Sequence, residues 1–167
     1  KDKNGHFFEA NWSAPIVPLI GADLEFFDML VTDVNGTIKA GDKTYQWNTW
    51  ADVLKPKAGT EVLATYEDQF YKGKAAAVTR KLGKGSITYV GVESINGDFE
   101  RQIVRTIYDR ANVTIEDLPK GVFVEWRDGF YVGVNYTSEA INLPIPKGSK
   151  IVVGQNPLQP AQAVIWK

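Results

Sequence analysis

The sequence of 167 residues contains no cysteine and a single histidine, His6. Without cysteine, a disulfide framework and any metal site built on thiolates are excluded. A lone histidine without a cysteine or a paired acid does not predict a usual zinc site or a histidine-based catalytic triad. We therefore predict no metal site and no cofactor site in this chain.

The sequence also lacks an excess of charge of one sign and a long apolar run. Nineteen basic side chains balance twenty acidic ones, which leaves a net charge of −1. This balance gives no electrostatic footprint for nucleic acid, and no apolar run approaches the ~18 residues of a membrane span. We therefore expect a soluble protein that binds neither nucleic acid nor membrane, and the cytoplasm and the periplasm remain equally open.

Three successive strands are predicted over residues 60–92. The runs Thr60–Tyr66, Ala75–Lys81 and Ser86–Val92 are apolar or rich in β-branched residues. Gly83-Lys84-Gly85 joins the second run to the third, and glycine supplies the positive φ that a tight reversal needs. Upstream, prolines forbid a long helix, although a short turn ending at Gly21 fits the sequence.

Two further patterns predict a hairpin and a helix. Leu24–Val34 reads as a strand, and Asn35-Gly36 predicts a hairpin whose returning strand runs from Thr37 toward Tyr45. Residues 96–112 are predicted to be helical, with Asn96 or Asp98 as the cap. The apolar stripe that supports the helix has a helical period and consists of Phe99, Ile103, Val104 and Ile107.

After a linker at residues 114–119, the rest of the sequence reads as strands and turns. The side chains of Val122–Arg127 alternate as in a strand, Asp128-Gly129 predicts a hairpin turn, and the run beginning at Phe130 is the returning strand. Further short apolar runs follow toward the C-terminus. This pattern predicts a small antiparallel β-sandwich with Trp126 and Trp166 in its core.

The central block contains an ordered series of short segments: Val62-Leu63-Ala64-Thr65-Tyr66, Phe70-Tyr71, Gly73-Lys74, Ala77-Val78-Thr79-Arg80, Gly83-Lys84-Gly85 and Tyr89-Val90-Gly91. This series resembles the middle, trimerisation domain of the β-galactosidases of glycoside hydrolase family 42. Ala76 departs from the pattern, because the family usually has proline there. A second set of residues is similar to the family's C-terminal domain: Leu118-Pro119-Lys120-Gly121-Val122, Phe130, Asn135-Tyr136-Thr137 and Leu143-Pro144.

The resemblance implies a fold of α/β plus all-β class. A partial flavodoxin-like (class I glutamine amidotransferase-like) trimerisation domain would occupy residues 1–117, and the small antiparallel β-sandwich would occupy residues 118–167. It further implies that the first domain is incomplete at its N-terminus. In the family, a catalytic (β/α)8 barrel precedes this domain and carries both catalytic carboxylates.

No catalytic pair is predicted in this chain. Glycoside hydrolysis needs two carboxylates about 5–9 Å apart. The densest acidic groups are Glu67-Asp68, Glu93 and Asp98-Glu100. Their positions favour turn and cap roles, since adjacent strand residues point to opposite faces and turn pairs are normally solvated.

The resemblance therefore implies a non-catalytic assembly portion of a retaining β-galactosidase that hydrolyses terminal β-D-galactosides. Its expected partners are its own upstream catalytic barrel and other subunits of a homo-oligomer, with carbohydrate as a possible ligand. The alternative is a stand-alone carbohydrate-binding or adaptor module. A small-molecule enzyme on a flavodoxin-like fold is the weakest reading, because the sequence lacks a phosphate loop and a nucleophile elbow.

Aromatic residues are the candidate site residues under the first two hypotheses. Trp47, Trp50, Phe70 and Tyr71 are predicted to face another subunit or a sugar. Aromatic side chains dominate subunit interfaces and cores, and their faces also stack on sugar rings. Phe70 and Tyr71 favour an interface, since they lie in a polar turn with no obvious local core to join.

Overall fold

The computed structural model describes residues 3–6 and 16–167, which belong to two compact units, Lys1–Val113 and Thr114–Lys167. Residues 1, 2 and 7–15, which include Pro15, one of the upstream prolines, lie outside the described residues. No helix in the described part of the chain combines the length and the apolar character needed to cross a membrane.

The first unit is an antiparallel sheet with one long helix. Its strands are β1 (Ala22–Met29), β2 (Gly36–Ala40), β3 (Lys43–Pro56), β4 (Thr60–Tyr66), β5 (Ala75–Leu82), β6 (Gly85–Val90) and β7 (Val92–Ser94). The order in the sheet is β1-β3-β2-β4-β5-β6, with β7 paired to β3 and a further pairing of β3 with β5. Helix α1 (Val17–Ile20) precedes β1, and helix α2 (Asp98–Arg110) follows β7. The short turn predicted before Gly21 is α1, which Gly21 ends in the left-handed conformation at a φ of 68°.

The predicted hairpin at Asn35-Gly36 is wrong. Strand β2 instead turns directly into β3, because Ala40 lies opposite Lys43 and Gly41-Asp42 forms the connection. Strand β1 pairs with the far half of β3, where Phe27 lies opposite Asp52. Gly36 is needed for close packing rather than for a turn, since an added Cβ would lie 2.3 Å from the indole nitrogen of Trp47.

The three-strand block predicted over residues 60–92 is confirmed. It forms β4, β5 and β6, and Leu82 lies opposite Gly85, so that Gly83 and Lys84 make a two-residue turn. Gly83 has a φ of 60°, the left-handed conformation for which glycine is suited. The local turn chemistry therefore determines this part of the sheet.

Apolar residues fill both faces of the sheet. Adjacent residues of β3 illustrate the division, since Val53 belongs to one buried cluster and Leu54 to another. The larger cluster lies under α2, which contributes Phe99 and Ile103. The smaller one gathers Ile20 of α1 with residues of β1, β3 and β5. Because side chains alternate along a strand, a single sheet supports both clusters.

Helix α2 confirms the predicted helix, and its first turn is capped by a reciprocal pair. The Phe99 backbone N–H donates to the Ser94 hydroxyl over 3.2 Å. The Glu100 carboxylate accepts from the Ser94 backbone N–H and from its hydroxyl, each over 2.6 Å. The residue at the cap position is Gly97 rather than Asn96 or Asp98, the two predicted caps, although Asn96 accepts a hydrogen bond from the Asp98 N–H over 3.1 Å. These contacts fix the start of the helix against the end of β7.

The second unit is one four-stranded antiparallel sheet. Its strands are β8 (Val122–Arg127), β9 (Phe130–Asn135), β10 (Ile151–Val153) and β11 (Ala163–Trp166), in the order β10-β11-β9-β8. Leu143 and Leu158, from the connecting segment, pack with Val122, Val124, Val164 and Trp166 to form the core of this unit. The antiparallel character is as predicted, but a facing second sheet is not found among the described residues.

The tryptophans of this unit were predicted to be core residues, and only one of them is. Trp166 is 4% exposed, whereas Trp126 at the end of β8 is 60% exposed. Trp126 follows the core positions Val122 and Val124 by regular alternation. The loop residues that cover those valines do not extend over the tryptophan.

The β-rich character of the chain is confirmed, but the flavodoxin-like arrangement is not seen. A flavodoxin-like domain is built on a parallel sheet with helices on both faces. Among residues 16–113, every strand pair is antiparallel, as shown by the pairings of β3 with β1, β2, β5 and β7 and by the β2–β4, β4–β5 and β5–β6 pairs.

Candidate interaction surface

The structure divides the four predicted aromatic residues into two buried and two surface side chains. Trp47 is fully buried and Tyr71 is 1% exposed, so both belong to the core rather than to an exposed surface. Trp47 packs edge-on against Tyr66 with ring centroids 5.7 Å apart. Phe70 is 82% exposed, and Trp50 is half-buried on β3.

Phe70 is exposed and yet held in place. It lies in the turn between β4 and β5, where Gln69 takes a φ of 60°. Its ring stacks on Phe26 of β1 with centroids 5.4 Å apart and planes 16° apart, and it meets Tyr71 edge-on at 4.9 Å. The Tyr71 hydroxyl donates to the Asp28 carboxylate over 2.8 Å, which ties the turn to β1.

The burial of Tyr71 keeps this hydroxyl in its donating form. Desolvation raises the pKa of Tyr71 above its usual range, and its hydrogen bond to Asp28 raises the pKa further. The phenol therefore remains protonated at any physiological pH and donates to the carboxylate continuously. The link between the turn and β1 does not depend on pH near neutrality.

A β-bulge in β1 directs Phe26 toward Phe70. Leu24 lies opposite Leu54 and Phe26 lies opposite Val53, so Glu25 is an extra residue in the strand. Without the bulge, Leu24 and Phe26 would point to the same face. In the structure, Leu24 packs on the smaller cluster and Phe26 on the larger one.

The opposite face of β1 carries a second aromatic pair. Phe27 stacks on Trp50 with centroids 4.6 Å apart and planes 5° apart. The Trp50 indole N–H donates to the Asp52 carboxylate over 2.8 Å, and the Tyr89 hydroxyl donates to the same carboxylate. Burial raises the pKa of Tyr89, and its bond to Asp52 raises it further, so this phenol also stays a donor. Met29 lies next to the pair, opposite Trp50, and is 58% exposed.

These side chains lie at the β1 edge of the sheet on its two opposite faces, and we call them together the β1 surface: Phe26 and Phe70 lie on one face, and Phe27, Met29 and Trp50 lie on the other. Its members are Phe26, Phe27, Met29, Trp50 and Phe70. Sequence reasoning identified Trp50 and Phe70 but missed the three residues of β1. The available signal was the adjacent pair Phe26-Phe27: adjacent strand residues point to opposite faces, so both could be buried only in a strand covered on both sides.

Of the acidic residues predicted to have turn or cap roles, Asp68 and Glu100 have them, whereas Glu93 lies within strand β7. The Asp68 carboxylate accepts from the Thr37 backbone N–H over 2.7 Å, and Glu100 caps α2 as described. Within the described residues, no group of three or more histidine or acidic side chains could hold a metal ion.

A basic groove lies on the other side of the first unit. It has a volume of about 540 Å³ and is lined in part by Arg80, Lys81, Lys84 and Arg110. Arg110 donates two hydrogen bonds to the Glu61 carboxylate, over 2.9 and 2.7 Å. Arg80 donates to the carbonyl oxygen of Pro18 over 3.1 Å. Both arginines are therefore engaged within the chain.

Comparison with known proteins identifies relatives of this architecture. A family model described as the β-galactosidase trimerisation domain matches residues 1–114. The β-galactosidase BgaH of Haloferax lucentense is 29% identical over 157 residues, which are 93% of this chain and 23% of that protein. The β-galactosidase Bga of Halorubrum lacusprofundi is 30% identical over 156 residues, which are 86% of this chain and 22% of that protein.

Solved structures show the same fold. The β-galactosidase from the Antarctic haloarchaeon Halorubrum lacusprofundi aligns with all of this chain and 25% of its own length, with a TM-score of 0.85 and 26% identity. Gan42B, a β-galactosidase of glycoside hydrolase family 42, aligns with 95% of this chain and 25% of its own length, with a TM-score of 0.75 and 19% identity. The chain thus spans about a quarter of the length of these relatives.

The fold and the surface define the chain as an antiparallel β module with aromatic side chains along one edge. The match over residues 1–114 makes the assignment specific. The chain belongs to the family of β-galactosidase trimerisation domains.

Proposed function

We propose that this chain is a non-catalytic assembly portion of a β-galactosidase. The observation that carries the proposal is the match of residues 1–114 to the β-galactosidase trimerisation domain. The exposed aromatic side chains of the first unit agree with this role, because aromatic residues and methionine are enriched in the centres of subunit interfaces. The partners in this role are other copies of the same chain.

The activity proposed for the parent protein is the hydrolysis of terminal β-D-galactosides with retention of configuration. The relatives named as β-galactosidases are about four times as long as the segment that they share with this chain. We place the catalytic barrel and its two carboxylates in the part of the parent protein that this chain does not include. The catalytic barrel is then the second partner of this chain.

The finer fold assignment remains part of the proposal. A flavodoxin-like domain would be completed by parallel strands and helices from outside this chain, with the antiparallel sheet of residues 22–94 as its extension. The proposed boundary between the trimerisation domain and the C-terminal domain lies at residues 117–118. The family match ends at residue 114, and the compact units divide between Val113 and Thr114.

Sedimentation velocity over a range of protein concentrations tests the assembly role. The expected result is a species of about 56 kDa, three times the chain mass of 18.6 kDa, which dissociates on dilution. A catalytic assay with a chromogenic β-galactoside should give no turnover from the same sample. A monomer of 18.6 kDa at every concentration would contradict the proposal.

Carbohydrate binding is the second candidate function, and one observation favours it. Trp126 and Tyr131 lie opposite each other in the β8–β9 pair and are 60% and 45% exposed. Tyr131 in turn stacks on Trp166 with ring centroids 5.5 Å apart. Rings aligned across neighbouring strands offer apolar faces to a sugar ring. Titration with galactosides should then change the tryptophan fluorescence of the chain but not that of Trp126→Ala, whereas an unchanged wild-type signal would exclude this function.

A further inference from the structure

We propose that Trp126 and Tyr131 of the second unit form a binding site for one pyranose ring of a neutral β-galactoside. The proposal rests on carbohydrate binding, the second candidate function stated above, and names the sugar and the residues that hold it. The site lies on the sheet formed by β8, β9, β10 and β11, outside residues 1–114, the part that matches the trimerisation domain.

One row of apolar side chains crosses this sheet at a single level. Trp126 of β8 lies opposite Tyr131 of β9, and Tyr131 lies opposite Trp166 of β11. Trp166 in turn lies opposite Ile151 of β10. Residues that lie directly opposite one another share a face of the sheet. The row therefore has an aromatic side chain on each of three neighbouring strands and an aliphatic one on the fourth.

The row lies at the margin of the core of the second unit, and only part of it is covered. Trp166 is buried, whereas Trp126 is 60% exposed and Tyr131 is 45% exposed. Leu143 lies over Gly133, two positions along β9 from Tyr131, since a Cβ at position 133 would lie 2.5 Å from the leucine side chain. The connecting segment therefore covers the inner part of the sheet and leaves the rings of Trp126 and Tyr131 open.

Tyr131 has one ring face engaged and the other available. Its ring stacks on Trp166 with planes 15° apart, and an aromatic ring has two faces. In the part of the chain that the structure describes, no ring contact joins Tyr131 to Trp126, and neither the Tyr131 hydroxyl nor the Trp126 indole N–H has a hydrogen-bond partner. The site thus combines open apolar faces with two polar groups that donate hydrogen bonds to sugar hydroxyls.

The row carries no charge, which favours a neutral sugar. Because side chains alternate along a strand, Glu125 and Arg127 point to the opposite face from Trp126. Lys167 follows Trp166 and also lies on that opposite face, where its ammonium group is 5.7 Å from the centre of the Phe130 ring. The row offers no cation to a uronic acid or a sulfated sugar, so an uncharged sugar is the ligand that fits it.

Galactose has a ring geometry that suits stacking on an aromatic face. Its axial hydroxyl at C4 points to one side of the ring, so the C–H groups at C3, C4 and C5 form a continuous apolar patch on the other side. This patch packs against an aromatic face while the remaining hydroxyls stay at the rim, where they accept hydrogen bonds. In glucose the C–H group at C4 points to the other side of the ring, which makes the patch smaller.

The exposed aromatic area matches a sugar better than a protein partner. A tryptophan or tyrosine side chain has about 150–250 Å² of surface to bury, so the exposed parts of Trp126 and Tyr131 together offer roughly 200–300 Å². A specific protein interface buries about 800 Å² on each partner. The smaller occupant, a single pyranose ring, therefore fits the area that these two side chains expose.

Trp126→Ala and Tyr131→Ala are the main tests, and Phe123→Ala is their matched control. Phe123 is an exposed aromatic residue of the same strand as Trp126, but it points to the opposite face. Saturation-transfer difference NMR on the full 167-residue chain, titrated with methyl β-D-galactopyranoside, measures the dissociation constant. We expect each main variant to raise that constant by at least about threefold, as for the loss of one stacking contact, and Phe123→Ala to change it by less than about 1.5-fold.

Circular dichroism shows whether each variant is folded, and Trp126→Ala, at the more exposed position, decides the test if Tyr131→Ala is not. If the wild-type chain does not bind the galactoside, carbohydrate binding fails and this inference fails with it, while the assembly function is unaffected. If the wild-type chain binds and neither main variant weakens binding, carbohydrate binding stands and this site is wrong. Equal weakening by Phe123→Ala would also overturn the site. Equal or tighter binding of methyl β-D-glucopyranoside would overturn the assignment of the site to a galactoside.

Discussion

At the scale of single residues, Gly36 and Trp47 show how closely the first unit is packed. Gly36 is buried at the start of β2, opposite Trp47 in the ladder between β2 and β3. A Cβ at position 36 would lie 2.3 and 2.4 Å from two atoms of the indole ring. The buried Trp47 N–H has no hydrogen-bond partner in the structure, so the ring is retained for its packing.

Gly36→Ala is therefore expected to destabilise the chain by about 1–3 kcal/mol, because the indole ring must move or the backbone must shift. Gly85→Ala is the matched control, since a Cβ there would meet nothing closer than 4.0 Å and the residue does not need a positive φ. Its free energy of unfolding should change by less than about 0.5 kcal/mol. Urea denaturation of both variants makes the comparison, and equal stabilities would show that the core accommodates the methyl group.

At the scale of secondary-structure elements, an ion pair joins the end of α2 to the start of β4. Arg110 donates two hydrogen bonds to Glu61, and these bonds are the main cause of the lowered pKa of the Glu61 carboxyl. Both side chains are about half exposed, at 48% and 55%. Solvent therefore screens the pair, which limits its contribution to less than about 1 kcal/mol.

Arg110→Gln should lower the free energy of unfolding at pH 7 by less than about 1 kcal/mol, because solvent screens the ion pair. Because the pKa of Glu61 is lower in the folded chain, the contribution is complete above the unfolded value of about 4.3 and disappears as the pH falls through the folded value. Urea denaturation at pH 7 and at a series of progressively lower pH values measures the difference. Lys84→Gln removes a positive charge from the same groove without breaking this pair and is the control. A difference that persists in acid would mean that Arg110 contributes by packing instead.

The elements that sequence reasoning predicted are those specified by neighbouring residues. The β4–β5–β6 block follows from its glycine turns, and α2 follows from its apolar stripe and polar cap. The pairing of β1 with β3 is different, because residues such as Phe27 and Asp52 meet across two intervening turns and a strand. No local pattern in the sequence indicates that register.

The candidate surface was predictable only in part for the same reason. The polar turn indicated exposed aromatic side chains at both Phe70 and Tyr71, but only Phe70 is exposed, and Tyr71 is buried. Whether Trp47 or Trp50 was buried depended on the backbone between them, where Thr49 takes a φ of 72°. The direction of Phe26 depended on the bulge at Glu25. The flavodoxin-like expectation came from the resemblance to a whole family domain, whereas the described residues form only antiparallel pairs.

At the scale of the whole molecule, assembly and stability are linked by mass action. A trimer that forms from folded chains shifts the unfolding equilibrium toward the folded state as the concentration rises. The net charge of −1 adds little repulsion between copies. Each unit has its own core, so the second unit gains from assembly only to the extent that its unfolding is coupled to that of the first.

The thermal midpoint of the chain should therefore rise with protein concentration, because assembly stabilises the folded state. Differential scanning calorimetry at several concentrations gives the measurement. A midpoint that does not change with concentration would indicate that the chains unfold as independent monomers.

The long strand β3 has a further consequence, which concerns the time course of folding. Its 14 residues pair with β1, β2, β5 and β7, and Ala51 in its centre lies opposite Val92 of β7, the last strand of the first unit in chain order. The hairpins on either side can close within microseconds because their contacts are local. The sheet is complete only when β3 has paired with strands that are distant along the chain. Each of these pairings closes a long loop, and the entropy lost on closing it opposes the step. Formation of the contacts of β3 is thus expected to set the folding rate of the first unit.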